Sequence, residues 1–149
     1  MPQKFQYSDD GSRYHTLKYH NRHTWGRPVF KAVVDAGFTC PNIDGKCGSG
    51  GCIYCSGGSG YFTAPALSVR EQIERESARI REKHPEAGII AYFQAHTNTY
   101  GSLERLREVY SQALECDICG ISAATRADCI DRERAGFLAS LGIPVTVEL

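Results

Sequence analysis

A chain of 149 residues with 42% hydrophobic and 23% charged residues suffices for one folded domain. A domain of that size buries about 70% of its unfolded surface without disulfide support. Lys and Arg total 17, as do Asp and Glu, so the net charge is zero, which excludes both the basic excess of a nucleic-acid binder and an acidic tail. No run approaches the roughly 18 apolar residues of a membrane span, and the N-terminus MPQKFQYSDDGS lacks a signal peptide's apolar core, so a cytoplasmic location is expected.

Residues 1–12 are polar and aperiodic and read as a loose arm ahead of a domain over 13–149. From Val29, VFKAVVDAGF is a short β-branched apolar run closed by a glycine-rich loop, which predicts a buried strand. In SVREQIERESARIREKH, Ser68 and Glu71 form a capping box, Val69, Ile73 and Ile80 share a face, and Pro85 with Gly88 stops the helix. GIIAYFQA, from Gly88, is a second strand. SLERLREVYSQALE is a helix with Ser102 as its cap and Leu103, Leu106, Val109, Tyr110, Ala113 and Leu114 at helical spacing. ICGISAAT is a third strand. DRERAGFLASLG is a shorter helix, with Asp131 near its N-terminus and Gly142 expected at C′; Gly136 inside it costs about 1 kcal/mol against alanine. IPVTVEL begins a fourth strand.

The order βαβαβαβ with near-continuous apolar strands predicts a parallel sheet joined by right-handed crossovers, either an open doubly wound sheet or a segment of a βα barrel. Leu149 falls inside an apolar run with no turn or covering helix after it, so a chain truncated after its fourth strand is expected.

In such folds the loops after the strands converge on one face. Three of them are polar here: the cysteine loop, QAHTNTY (residues 94–100) and TRADC (residues 125–129). They read as an active-site rim, although Asn98, Thr99 and Asp128 are also residues that make turns and caps. His96 in the second loop is a further candidate for a substrate contact.

The cysteine loop, GFTCPNIDGKCGSGGCIYCSGG, carries Cys40, Cys47, Cys52 and Cys55. In a reducing compartment clustered thiols bind metal more often than they pair. Cys52 and Cys55 form a C-x2-C pair that suits zinc, redox or iron–sulfur sites. Adding Cys47 gives the C-x4-C-x2-C spacing of a plant-type [2Fe–2S] cluster; all four together could close a tetrahedral zinc site; Cys40, Cys52 and Cys55 make a third set. Spacing leaves these open.

The words around the cysteines narrow the choice. DAGFTCPN with GGCIYC, and then YHTLKYHNRHTWGRPVFKAVVDAGFTCPN, AYFQAHTNTY, LREVYSQAL and ISAATRADC in the same order, closely resemble the YhcC-like radical S-adenosylmethionine proteins, a group related to the catalytic subunit of Elongator. The resemblance covers residues 14–149. It implies part of a radical S-adenosylmethionine (β/α)6 barrel, with a [4Fe–4S] cluster held by Cys40, Cys52 and Cys55, Tyr54 beside the adenine, and Cys47 as a bystander. It places Gln94, Thr97 and Asn98 near the methionine amino group of S-adenosylmethionine, and Thr125 and Arg126 near its ribose and carboxylate. It further implies an enzyme that generates a 5′-deoxyadenosyl radical, a reductant such as flavodoxin or ferredoxin, and, by analogy with Elongator, an RNA substrate such as tRNA.

Three ligands make chemical sense. A closed site is structural or passes electrons, whereas an open iron can take the amino and carboxylate groups of S-adenosylmethionine. Gly45, Gly48, Gly50 and Gly51 let the backbone wrap closely enough to donate hydrogen bonds to sulfur. Arginine opposite a carboxylate, and amides and hydroxyls near sugar hydroxyls, are apt partners. Elongator-type sequences read ETRPD where this chain has Ala124-Thr125-Arg126-Ala127-Asp128, so the ribose-binding carboxylate of that motif is absent here, and Glu148 begins a further family motif. The competing reading is a non-catalytic zinc or ferredoxin-like module with Cys47 as a ligand.

Segment 13–27, RYHTLKYHNRHTWGR, interleaves Arg13, Lys18, Arg22 and Arg27 with Tyr14, Tyr19 and Trp25 and contains no acid. It could stack on and clamp single-stranded RNA; the plainer reading is a cover for the first strand with exposed charges. His15, His20 and His23 lack a spacing that suggests a second metal site. Cys116, Cys119 and Cys129 are expected to be small buried residues.

Overall fold

The computed structural model describes residues 9–53, 55 and 64–149; residues 1–8 of the expected arm lie outside the described residues. Segment 13–27, for which no element is predicted, contains a helix, α1 (Leu17–Trp25). Its signal lies in the ends. The hydroxyl of Thr16 accepts from the Tyr19 amide at 3.0 Å, and Gly26, at φ 67°, closes the last turn on the Arg22 carbonyl. Asn21 is its buried residue, so no apolar stripe advertises it.

The strands follow as β1 (Val29–Val34), β2 (Gly88–Phe93), β3 (Gly120–Ala124) and β4 (Val145–Glu148). Between them lie α2 (Val69–Lys83), α3 (Leu103–Leu114) and α4 (Arg132–Ala139). The capping box of α2 is reciprocal: the Ser68 hydroxyl accepts from the Glu71 amide at 3.2 Å and the Glu71 carboxylate accepts from the Ser68 amide at 2.8 Å. Ser102 and Asp131 cap α3 and α4 by accepting from the Arg105 and Arg134 amides, without the reciprocal bond. α4 ends with Ser140 as its C-cap, so Gly142, at φ 71°, sits one residue beyond the expected C′ position.

All neighbouring strands pair in parallel, in the order β1-β2-β3-β4. Side chains alternate across the sheet. Val34, Ala91, Phe93, Ile121 and Ala123 point to one face, where they pack with Val69 and Ile73 of α2, Leu106, Val109, Tyr110 and Ala113 of α3, and Leu138 of α4. An unreversed strand order with the crossover helices on a single face is the winding of a βα-barrel segment; a doubly wound sheet reverses its order and covers both faces.

Close approach at the bottom of the sheet needs a glycine. A Cβ on Gly88 would stand 3.1 Å from Val29 Cγ2 and 3.2 Å from both Arg27 Nε and Cys119 Sγ. Cys116 and Cys119 are half-buried rather than buried, with thiols directed at the carbonyls of Gln112 (3.5 Å) and Ile89 (3.3 Å). Among the described residues, no helix is long and apolar enough to cross a membrane.

Candidate functional site

The three polar loops meet at the C-terminal ends of β1, β2 and β3. They are stitched by backbone: the Thr97 amide donates to Thr39 of the cysteine loop at 3.2 Å, and the Asn98 amide donates to Ala124 at 3.0 Å. Asn98 is fully buried, with its side-chain amide nitrogen within 3.0–3.1 Å of the carbonyls of Phe93, Ala95 and Ala124. It therefore splices the second loop to the third. Thr99, also fully buried, donates its hydroxyl hydrogen to the Cys129 carbonyl at 2.6 Å. With that hydrogen committed, Thr125 must be the donor in the 2.5 Å contact between the two threonine hydroxyls.

A cavity of about 470 Å³ opens between the loops. Cys40, Cys52 and Cys55 line it, together with Gln94, Thr97, Thr125 and Arg126. Cys47 is elsewhere: it lines a second cavity of about 260 Å³ with Tyr100 and Cys129. Of the residues singled out in the sequence, Asn98 does not line the first cavity, and Tyr54 lies outside the described residues. Among the described residues no three Cys, His, Asp or Glu side chains group closely enough to hold a metal ion, so the three thiols stand around the cavity rather than at one point.

The loop is shaped for close contact. Gly51 has φ 81°, and a Cβ there would lie 3.4 Å from Cys55 Cβ and 3.5 Å from its sulfur. Asn42 donates its side-chain amide to the Cys52 sulfur at 3.1 Å. Sequence reasoning passed over this residue, although an amide two positions after the first cysteine is a donor placed to stabilise a thiolate.

His96 has φ 59°, the left-handed region that a non-glycine residue seldom occupies. Its Nδ1 lies 2.9 Å from the Phe38 carbonyl and must carry the proton, since a carbonyl only accepts. Nε2 is buried without a hydrogen-bond partner, on a residue that lines the cysteine cavity.

Arg126 is engaged within its own loop. Its Nε and one Nη donate to the two carboxylate oxygens of Asp128 at 2.8 and 2.6 Å. That fork holds the Asp128 carboxyl down to about 2.

The sheet face away from the helices carries a second polar group that sequence reasoning missed. Glu148 of β4 accepts from Ser122 of β3 at 2.6 Å and pairs with Lys31 of β1; the Lys31 ammonium lies 3.8 Å from the Tyr92 ring centre on β2. Burial, and then the neighbouring Glu148, push the Tyr92 phenol up to about 12, so it stays protonated beside that carboxylate. Burial pushes the Glu148 carboxyl up, but hydrogen bonds from Lys31, Ser122 and Tyr92 outweigh it and hold the group below its ordinary value. Glu148 also lines the cysteine cavity. Residues 31 and 148 are neighbours only through the sheet register, which no local pattern announces.

These features define a parallel βα protein with a thiol-lined cavity at the ends of its strands. Over 140 residues the chain is 44% identical to the uncharacterized protein YtqA of Bacillus subtilis strain 168, a match that takes in 92% of this chain and 44% of YtqA. It is 36% identical over 107 residues to the protein YhcC of Escherichia coli K12 (71% of this chain, 34% of YhcC). It is 32% identical over 116 residues to the uncharacterized protein MJ0486 of Methanocaldococcus jannaschii (74% and 34%). The chain is thus homologous to YtqA, YhcC and MJ0486 over most of its own length, and the matches span less than half of each. No family model matches the chain, and no solved structure does.

Proposed function

We propose that the chain holds a [4Fe–4S] cluster through Cys40, Cys52 and Cys55 and binds S-adenosylmethionine beside it, as part of a radical S-adenosylmethionine enzyme. One observation carries this reading: those three thiols share a cavity with Gln94, Thr97, Thr125 and Arg126, while Cys47 lines another. Homology with YhcC supports it.

The donor set fits the group. Thiolates suit iron–sulfur clusters, Asn42 supplies a hydrogen bond to sulfur, and the bare face of Gly51 leaves room at Cys55. When bound, the cluster supplies the electron that cleaves the sulfonium carbon–sulfur bond. Around it, Thr97 and Gln94 offer polar atoms to the amino end of the ligand, and Arg126 offers a guanidinium to its carboxylate once it turns from Asp128. The hydroxyl of Thr125, with its hydrogen given to Thr99, keeps acceptor capacity toward the cavity. Asn98 contributes by holding the loops together.

The wider setting belongs to the same reading: a cytoplasmic enzyme reduced by flavodoxin or ferredoxin and acting on RNA. The exposed Arg13, Lys18, Arg22 and Arg27, with Tyr14 70% exposed, support the RNA substrate, since phosphates seek cations and unstacked bases seek aromatic faces.

Anaerobic reconstitution tests the cysteine assignment. Iron, sulfide and visible absorption are measured for the parent chain, Cys40→Ser and Cys47→Ser. Loss of the cluster in Cys40→Ser, with full loading in Cys47→Ser, is expected. The reverse pattern, or zinc without iron–sulfur absorption, sinks the proposal and favours a zinc or ferredoxin-like site.

A further inference from the structure

The second cavity gives Cys47 a partner. Cys47 is exposed, Cys129 is half-buried, and both line the same space of about 260 Å³ beside Tyr100. Among the described residues no other cysteine lines it: Cys40, Cys52 and Cys55 face the larger cavity, and Cys116 and Cys119 lie at the opposite end of the sheet, before β3.

We propose that Cys47 and Cys129 form a reversible disulfide that ties the cysteine loop to the loop after β3. The inference is independent of the cluster, because neither thiol belongs to the three assigned to it. A disulfide requires Cα atoms within about 7 Å, so the bond would hold the two loops at that separation across the cavity both thiols line. The two thiols are unequal in access. Cys47 is the one that an oxidant in solution reaches. Cys129, directed at Asp128 Oδ1 at 3.6 Å, is half-buried and so less accessible, and resolves the intermediate.

With a low-molecular-weight disulfide as oxidant the step balances. The Cys47 sulfur, on losing its proton, attacks one sulfur of the oxidant and expels the first small thiol. The Cys129 sulfur then attacks Cys47, loses its own proton and expels the second. Two protein thiols become one disulfide, and one small disulfide becomes two small thiols. Thr125 and Arg126 precede Cys129 in the same loop and line the cysteine cavity, so oxidation would fix the distance between two of that cavity's walls.

The test is mass spectrometry on the full chain. The reduced protein is treated with oxidised glutathione, remaining thiols are alkylated, and the product is digested with trypsin without reductant. Cys47 follows Lys46, so its peptide is 47–70, and that of Cys129 is 127–132. Because 47–70 also contains Cys52 and Cys55, the double variant Cys52→Ser with Cys55→Ser is treated in parallel. A cross-link between 47–70 and 127–132 in the parent and in the double variant, reversed by dithiothreitol and absent from Cys47→Ser and Cys129→Ser, is expected. Full alkylation of Cys47 and Cys129 overturns the proposal. So does a cross-link that survives in Cys47→Ser, or a Cys47 bonded to the peptide 32–46 that carries Cys40. Iron loading is read separately, so failure of the cluster assignment would leave this result intact.

Discussion

Arg126 can serve a ligand's carboxylate only by giving up Asp128, whose two oxygens already occupy two of its donors. Asp128→Asn removes the competing charge and is expected to tighten binding of S-adenosylmethionine to the reconstituted chain several-fold, as read by equilibrium dialysis; weaker binding would show that the fork orients the arginine instead. The same pair has a pH signature. A carboxyl held at about 2 when folded, against roughly 3.9 when unfolded, contributes stability that is whole above the unfolded value and lost as pH falls through about 2. Carbon-detected NMR titration of Asp128 should therefore find a midpoint well below that of an ordinary aspartate. Sequence reasoning reached the cysteines and the polar loops, because residue type and spacing are local. It did not reach the Arg126–Asp128 fork, the Asn42 amide on sulfur or the bond from His96 to the Phe38 carbonyl, because each depends on where a turn points a side chain.

At the level of elements, strands and most helices were legible where chemistry at the ends agreed with periodicity. α2 has both a reciprocal capping box and an apolar face, and α3 has Ser102 and four buried side chains in register. α1 has caps but buries an asparagine, so a pattern search for apolar repeats slides past it. The value of such caps can be measured. Ser68→Ala leaves the Glu71 amide without its acceptor and should cost about 1 kcal/mol, lowering the melting midpoint by roughly 4 °C. An unchanged midpoint would mean that packing of Val69 and Ile73 alone fixes the start of α2.

Across the whole molecule, strand order decides what sequence leaves open. Both a doubly wound sheet and a barrel segment satisfy a βα alternation; helices confined to one face and an unreversed order select the second. The face left bare carries Lys31, Tyr92, Ser122 and Glu148. Lys31 and Glu148 are each about a third exposed, at 36% and 34%, so solvent screens the pair. A double-mutant cycle of Lys31→Met and Glu148→Gln, followed by urea unfolding, should give a coupling below about 1 kcal/mol. A larger coupling would mean that the carboxylate is a principal staple of the sheet.

That cluster has a consequence for folding. One residue from each of β1, β2 and β3 meets the Glu148 carboxylate of β4, and a slip by a single residue in any strand would turn its member toward the helices. Apolar contacts tolerate near misses; one carboxylate that draws its three partners from three different strands does not. However little each contact contributes, the full set around Glu148 is met only when β1 to β4 are in this register, and the same alignment brings the ends of the strands level beneath the thiols.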